Sequence, residues 1–343
     1  MPTGNEKPNR SSRVKGSLYG LFIGDALSMP VHWYYNRARM FRDYGLVTDY
    51  QSPKNPHPDS ILWRSSYSPV NDKGEILHDQ AAYWGRRGIH YHQFLRAGEN
   101  TLNLSICRLL IDSLNRNGTY NRADFIDRYV QFMLTPSSHK DTYVEEYHRH
   151  WFTNYARGVP PEDCGVPEKH ISGLIGLVPI LLAYANAPEA GREAALTHLS
   201  LTHLGPRMVA AAEVLMDILL PVIQGNPLDS VLEEMIDRRH RGLLGHPIRK
   251  WLTKTDDHVL GRIIGNACYV EDSIPATVYL ALKYHNNFRR GLIANTNLGG
   301  ENAGRGAVLG AMLGAANGFE AIPAPWVSGL KQAPQMVTPV KES

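Results

Sequence analysis

Two short motifs in this sequence place a carboxylate and an amide directly before an apolar helical pattern. The tripeptide Gly-Glu-Asn occurs at residues 98–100 and again at residues 300–302. Two carboxyl groups that face each other across a cleft can cleave a glycosidic bond, because one protonates the leaving group while the other activates water or attacks the sugar. We therefore predict that Glu99 and Glu301 are catalytic residues.

Other polar residues near the two motifs suit proton transfer and substrate binding. Because histidine titrates near neutral pH, we assign His32 to the catalytic set as a proton shuttle. The two asparagines can bind substrate hydroxyls or cap their helices, and an arginine in a first helical turn can clamp an anion or face the solvent. The predicted substrate-binding residues are Asp25, His92, Asn100, Asn302 and Arg305.

Histidines and aromatic residues near the motifs allow two further interpretations. His90 and His92, followed by Glu99, have a spacing that zinc and other transition-metal sites use. With 15 histidines in the chain, chance pairs are also expected. Aromatic side chains beside the motifs fit stacking on a base or sugar, or burial in the core; they are Trp33, Tyr34, Trp84 and Tyr91.

The elements that must position these residues are predicted to be helices. Two of them carry small residues every four positions: Gly16, Gly20 and Gly24 in the first, and Gly306, Gly310, Gly314 and Gly318 in the second. Glycine costs about 1 kcal/mol relative to alanine inside a helix, so the repetition needs a packing reason. We predict that the two helices pack in close contact, which brings Asp25 and His32 to Glu301.

Composition describes an ordinary globular chain. Of its 343 residues, 43% are hydrophobic and 20% charged, and the formal net charge is +3, which argues against a nucleic-acid partner. Three widely spaced cysteines do not form a disulfide framework, and the polar N-terminus lacks a secretory signal. We expect a cytoplasmic protein without a membrane partner that acts on a small molecule; the sequence does not predict an oligomeric state.

The predicted organisation is one helical domain with short terminal segments. We place a disordered arm at residues 1–12, the domain at residues 13–322 and a tail at residues 323–343. Residues 47–87 are rich in Pro, Asn, Ser and Asp, which predicts a long irregular segment of the kind that often serves function.

Three stretches resemble the ADP-ribosylglycohydrolase family, which includes ADP-ribosylarginine hydrolases, dinitrogenase reductase-activating glycohydrolases and J1 crystallins. They are "GSLYGLFIGDALSMPVHW" at residues 16–33, "LSLTHLGPRMVAAAEVL" at residues 199–215, and residues 265–318 around the second Gly-Glu-Asn motif. The resemblance extends from about Arg13 to Phe319. It implies an all-α, single-domain helical bundle with its site in a central cleft.

The chain departs from the family pattern at the positions that bind a pair of Mg²⁺ or Mn²⁺ ions. The family's Thr-Asp-Asp-Thr corresponds to "GENT" at residues 98–101, and its Gly-Gly-Asp-Thr-Asp-Thr to "GGENAG" at residues 299–304. A further family glutamate falls on His32. We therefore predict no metal cofactor. If Mg²⁺ or Mn²⁺ does bind, the expected ligands are Glu99, Asn100 and Glu301.

These features predict a hydrolase that cleaves an N- or O-glycosidic bond, or a related C–N bond, through Glu99 and Glu301 instead of two metal ions. The alternative is a non-catalytic family member that binds a nucleotide-like ligand or has a structural role. The glutamate pair separates the two, because a binding protein does not need two ionisable groups opposed in a cleft.

Overall fold

A computed structural model describes residues 7–238 and 241–340 of the chain as a bundle of helices. The helices are α1 (Arg10–Ser28), α2 (Arg37–Tyr44), α3 (Leu102–Asn117), α4 (Arg122–Leu134), α5 (Glu146–Ala156), α6 (Leu177–Ala183), α7 (Pro188–Ser200), α8 (Pro206–Ile223), α9 (Leu228–Arg238), α10 (Arg241–Leu244), α11 (Ile248–Trp251), α12 (Asp256–His258), α13 (Val270–Lys283), α14 (Phe288–Asn297), α15 (Asn302–Asn317) and α16 (Ala324–Gly329). Two short strands, β1 (Val166–Pro167) and β2 (His203–Leu204), pair in parallel. The predicted all-α fold is confirmed.

Helices α1 and α15 form the centre of the bundle and pack along their glycine rows. Gly20 faces Gly310, and Gly24 faces Gly306; a Cβ atom on any of these residues would overlap the backbone of the opposite helix. Almost every residue of α15 is buried. The predicted contact between the two helices is confirmed, and it depends on backbones that approach without side chains between them.

The chain that follows α1 is held against the start of α15. The Trp33 amide donates to the Gly300 carbonyl over 2.8 Å, and the Gly300 amide donates to the Tyr34 carbonyl over 2.7 Å. Trp33 has a φ of 60°, a left-handed conformation that a bulky side chain rarely adopts. Such strain persists where the surrounding contacts impose it, and it is common at functional sites.

The segments outside the bundle centre are irregular or short. Residues 47–87 form a largely irregular segment, as their composition predicted. The segment contains three 3₁₀ turns: Leu62–Arg64, Asp72–Gly74 and His78–Tyr83. Helix α1 begins at Arg10 because the Asn9 side chain caps it, so residues 10–12 are helical and not part of a disordered arm. Residues 1–6 of the predicted arm and residues 341–343 of the predicted tail lie outside the described residues.

No helix within the described part of the chain is both long and apolar enough to cross a bilayer.

Trp326 of α16 is buried, and the amide of Val340 donates to the Ala183 carbonyl over 2.8 Å. The described part of the predicted C-terminal tail therefore packs on the helical domain.

Candidate active site

Glu301 lies at the N-terminus of α15, enclosed by hydrogen-bond donors. Its Oε1 accepts from the Gly304 amide over 2.9 Å, which caps the helix. Its Oε2 accepts from Trp33 Nε1 over 2.6 Å and lies 3.1 Å from His32 Nε2. Burial alone would raise the pKa of Glu301, but the charge and hydrogen bond of His32 lower it below its usual value. Glu301 is therefore a carboxylate, and it is only 1% exposed.

A chain of hydrogen bonds leads from Glu301 to the start of α3. His32 Nδ1 lies 2.8 Å from His92 Nε2, and His92 Nδ1 lies 2.5 Å from Asp141 Oδ1. The other oxygen of Asp141 accepts from the Leu102 amide in the first turn of α3. Burial alone would lower the pKa of His92, but Asp141 raises it above 6.5. The raised pKa of His92 favours a charged ring that donates to Asp141, and the ionised Glu301 accepts from His32 Nε2.

His170 lies between two carboxylates. Its Nδ1 is 2.9 Å from Ser172 Oγ and 3.3 Å from Glu145 Oε2, while its Nε2 is 3.7 Å from Glu301 Oε2. Burial would lower the pKa of His170. The charge of Glu145, a hydrogen bond with Cys268 and the charge of Glu301 together raise it well above 6.5. His170 is therefore an imidazolium at neutral pH.

Glu145 is fixed on the opposite side of His170, immediately before α5. Its Oε1 accepts from Asn103 Nδ2 over 2.8 Å, and its Oε2 accepts from Ser172 Oγ over 2.9 Å. These contacts orient the carboxylate towards the His170 ring. Although Glu145 is 7% exposed, it lines an open cavity that Glu301 does not line.

The cavity, which we call the aromatic pocket, has a volume of about 340 Å³. The aromatic residues that line it are Trp33, Tyr35, Tyr91, Tyr143, Tyr147 and Tyr269. Its ionisable and nucleophilic lining includes Glu145, His170 and Cys268. Aromatic faces combined with a few fixed polar groups are typical of small-molecule sites.

Trp33, Tyr143 and Glu145 separate the aromatic pocket from a small internal cavity of about 10 Å³. His32, His92 and Asp141 line this internal cavity. The Trp33 ring stacks on His32 with 4.1 Å between the ring centroids and meets Tyr91 edge to face at 4.6 Å. The histidine chain therefore lies behind the pocket wall and contacts the pocket through Trp33.

Two of the predicted substrate-binding residues, Asp25 and Asn100, join the first Gly-Glu-Asn motif to α1. Asp25 accepts from the Thr101 amide, from Thr101 Oγ1 and from Asn100 Nδ2 over 2.7 to 2.9 Å. Asn100 also donates to the Phe22 carbonyl and accepts from Arg108. Burial raises the pKa of Asp25. These side chains use their polar atoms within the protein, which favours a structural role.

Glu99 lies apart from the Glu301 cluster. Its Oε1 is 3.0 Å from Lys140 Nζ, and its Oε2 accepts from the Arg96 amide over 2.7 Å. It lines a different cavity, of about 280 Å³. Among the described residues, Glu99 and Glu301 share no hydrogen-bond partner. The two motifs differ in register: Glu301 is the N-cap residue of α15 and caps it with its side chain, whereas the N-cap position of α3 is Thr101, two residues after Glu99.

Asn302 and Arg305, also predicted to bind substrate, are fully buried. Asn302 Nδ2 donates to the Thr296 carbonyl over 2.9 Å. Arg305 donates to Asn295 Oδ1 over 2.7 Å and to the Gly299 carbonyl over 3.0 Å, and burial lowers its pKa to about 10. Arg305 therefore neither faces the solvent nor lines the aromatic pocket. It fixes the turn that leads into α15.

The side chains at the two motifs do not fit a pair of Mg²⁺ or Mn²⁺ ions. Trp33 and His32 direct N–H groups at the Glu301 carboxylate, where a cation would need free oxygen lone pairs. The Asn100 oxygen is occupied by Arg108. Three positions at which the family pattern has Thr or Asp carry no ligating side chain here: Gly98, Ala303 and Gly304. Within residues 7–238 and 241–340, no group of three or more His, Cys, Asp or Glu side chains is arranged to hold a metal ion.

The hypothesis that His90, His92 and Glu99 form a transition-metal site is wrong. His90 Nε2 donates to the Pro30 carbonyl over 3.0 Å, and its Nδ1 accepts from the His92 amide over 3.0 Å. Burial lowers the pKa of His90 well below 6.5, so the ring is neutral. Both nitrogens of each histidine are used within the protein, and Glu99 pairs with Lys140.

Sequence reasoning missed Glu145 and His170, two of the charged residues that line the aromatic pocket. Neither belongs to a recognisable motif. The signal that places His170 is a single antiparallel bridge to Tyr269, a contact between distant segments. The aromatic residues were better marked, since Trp33 and Tyr91 line the pocket and both were singled out from their position beside the motifs.

Comparisons with known proteins agree with this architecture. Residues 6–341 match the family profile described as ADP-ribosylglycohydrolase. A solved structure titled "ADP-ribosylglycohydrolase-related protein complex" is similar, with 22% sequence identity, a TM-score of 0.64, and coverage of 94% of this chain and 93% of that one. At this identity the likeness shows a common fold. No curated protein matches the chain.

Proposed function

Since the chain belongs to the ADP-ribosylglycohydrolase family, we propose that it is a hydrolase that cleaves an N- or O-glycosidic bond, or a related C–N bond, of a small molecule. The reaction takes place in the aromatic pocket and uses acidic and basic side chains instead of two metal ions. The observation that carries this proposal is the position of His170, a charged ring held between Glu145 and Glu301 at the pocket wall.

In this mechanism His170 is the general acid. As the scissile bond lengthens, the imidazolium gives its Nε2 proton to the leaving nitrogen or oxygen. The Glu145 carboxylate stabilises the positive charge that develops on the sugar carbon and then takes a proton from the attacking water. Glu301 is too enclosed to touch a substrate. Its charge, together with that of Glu145, keeps His170 protonated.

This assignment replaces one member of the glutamate pair predicted from the sequence. Glu301 keeps a central place, but it acts through His170 and His32. Glu145 takes the position across the cleft that the sequence analysis gave to Glu99. The histidine chain from His32 to Asp141 supports Glu301 from behind, because His32 is hydrogen-bonded to the buried Glu301 carboxylate and lowers its pKa.

The aromatic rings define the class of substrate. Trp33, Tyr91 and Tyr143 meet at near-perpendicular angles, with ring centroids 4.6 to 5.3 Å apart. A planar base or the apolar face of a sugar can lie against such surfaces. A volume of about 340 Å³ suits one small molecule.

The test is hydrolysis of a library of nucleosides, other N-glycosides and aryl O-glycosides, followed by mass spectrometry in the presence of EDTA. We expect at least one substrate to be cleaved without added metal. His170→Gln and Glu145→Gln should each lower turnover by about 10²-fold or more. Glu99→Gln is the matched control, because Glu99 lines the other cavity, and it should retain parent activity.

Two outcomes would overturn the mechanism. One is activity that requires Mg²⁺ or Mn²⁺. The other is loss of activity in Glu99→Gln with full activity in Glu145→Gln, which would restore the pair predicted from the sequence. If tryptophan fluorescence reports tight binding of a nucleotide-like compound that is never cleaved, the chain is instead a non-catalytic binding protein.

A further inference from the structure

Cys268 is placed beside His170 by backbone hydrogen bonds. The Ile171 amide donates to the Cys268 carbonyl over 2.9 Å, and the Val270 amide donates to the Lys169 carbonyl over 2.9 Å. These bonds hold the segment before α13 against the segment that carries His170. The Cys268 side chain is half-buried and lines the aromatic pocket.

Cys268 has a histidine as a neighbour. Its side chain interacts with the His170 ring, and this interaction helps to raise the pKa of His170. The Nδ1 atom of that ring is oriented by Ser172 at 2.9 Å and Glu145 at 3.3 Å. A nucleophile next to a histidine that a carboxylate orients is the arrangement of cysteine hydrolases on unrelated folds.

We infer that Cys268, His170 and Glu145 form a nucleophilic triad that cleaves ester or amide bonds of a small molecule bound in the aromatic pocket. The thiolate form of Cys268 is the attacking species, and the His170 imidazolium beside it is the proton donor for the leaving group. This activity is distinct from glycosidic cleavage and does not rest on the function proposed above.

The chemistry balances without an oxidant, a reductant or a metal. The Cys268 thiolate forms a bond to the carbonyl carbon, the carbon–oxygen or carbon–nitrogen bond to the leaving group breaks, and His170 protonates the departing alcohol or amine. The product of this first step is a thioester on Cys268. Water then attacks the thioester carbon, His170 takes one proton from that water, and the released acid leaves the thiol free for another cycle.

The other two cysteines are internal controls. Cys107 is 2% exposed and Cys164 is fully buried, and burial raises the pKa of each thiol to about 12. Buried thiols of this kind are unreactive. A reagent that labels accessible, activated thiols is therefore expected to react at Cys268 before it reacts at Cys107 or Cys164.

The experiment uses p-nitrophenyl acetate with the full chain and follows both nitrophenolate release and the protein mass after an acid quench. We expect an acetyl group on Cys268, located by peptide mass spectrometry, and at least a 10-fold slower release in Cys268→Ala. Cys268→Ser, which keeps the side-chain size, should be slowed similarly because a hydroxyl has far less anion at neutral pH. His170→Gln should also slow acetylation of Cys268.

A labelling measurement keeps the inference testable if a variant folds poorly. Iodoacetamide is applied to the unmutated protein at neutral pH, and alkylation is counted separately at each cysteine. We expect Cys268 to react at least 10-fold faster than Cys107 or Cys164, because Cys268 lines the aromatic pocket and the other two cysteines are buried. Absence of an acetyl adduct on Cys268, or alkylation of Cys268 no faster than that of Cys107 or Cys164, would refute the triad whether or not glycosidic activity is found.

Discussion

At the scale of single residues, the charge of His170 makes both stability and activity depend on pH. Its pKa in the folded protein lies well above 6.5, after burial is outweighed by Glu145, Cys268 and Glu301. Because the pKa of His170 is higher in the folded than in the unfolded protein, its protonation stabilises the fold. This contribution is fully present below about pH 6.5 and is lost as the pH rises through the pKa of the folded state. The proton needed by the leaving group is lost over the same range.

We therefore predict that the free energy of unfolding of the parent protein falls as the pH rises above 6.5. The free energy of unfolding of the His170→Gln variant should fall less over the same range. The measurement is urea unfolding at a series of pH values from 5 to 10. His92 also has a raised pKa, so the difference between parent and variant isolates the contribution of His170. Equal slopes for the two proteins would show that His170 is neutral in the folded state.

Trp33 provides a second test at this scale, because its indole N–H is a donor to the buried Glu301 carboxylate. Trp33→Phe keeps most of the ring but leaves that oxygen with one donor fewer. We predict a loss of about 1–3 kcal/mol in the free energy of unfolding, as for a buried acceptor deprived of its partner. Trp63→Phe is the matched control, since Trp63 is 40% exposed. A similar loss of stability in that variant would mean that the effect of Trp33→Phe is not due to the hydrogen bond to Glu301.

At the scale of elements, the contact between α1 and α15 brings the residues that follow α1 next to Glu301 at the start of α15. Gly20 and Gly310 meet backbone to backbone. Gly20→Ala forces the helices apart or strains them, so we predict a loss of at least about 1–3 kcal/mol, the usual effect of overpacking. Thermal or urea unfolding measures it. Gly261→Ala is the control, because a Cβ there meets open space, and the two variants should differ clearly.

The same element scale explains what the sequence could and could not predict. Glycines at four-residue intervals have a direct physical meaning, so the proximity of His32 to Glu301 follows from the sequence. Identical tripeptides do not have identical geometry, because the helix cap decides which way a side chain points. Glu301 caps α15 with its own side chain, whereas the N-cap position of α3 is Thr101, and Glu99, two residues earlier, pairs with Lys140.

Glu145 and His170 illustrate the remaining gap. Each lies in an irregular segment with no local pattern, and the fold joins them through Ser172 and a bridge between segments almost a hundred residues apart. Contacts of this kind depend on the packing of the whole chain. They are visible in the structure and have no signature in residue spacing.

At the scale of the whole molecule, the departure from a metal-binding site predicts how the protein responds to divalent cations. An ion that binds the folded state at 100 times its dissociation constant adds about 2.7 kcal/mol of stability. In a chain of this size that corresponds to a rise of roughly 4 °C in Tm. Because N–H donors surround Glu301 and Lys140 pairs with Glu99, we predict no such rise in this protein.

The measurement is a thermal unfolding series with Mg²⁺ or Mn²⁺ from micromolar to 10 mM, with EDTA as the reference and constant ionic strength. Screening of surface charges changes Tm gradually and equally for both ions, whereas a specific site gives a saturable rise that differs between them. The variant Trp33→Phe with His32→Asp removes two N–H groups and adds a carboxylate beside Glu301. If the donors are what exclude the cation, this double variant should show a saturable rise that the parent lacks. A saturable rise in the parent itself would mean that Glu301 exchanges its donors for a metal ion, and the metal-independent mechanism would then be wrong.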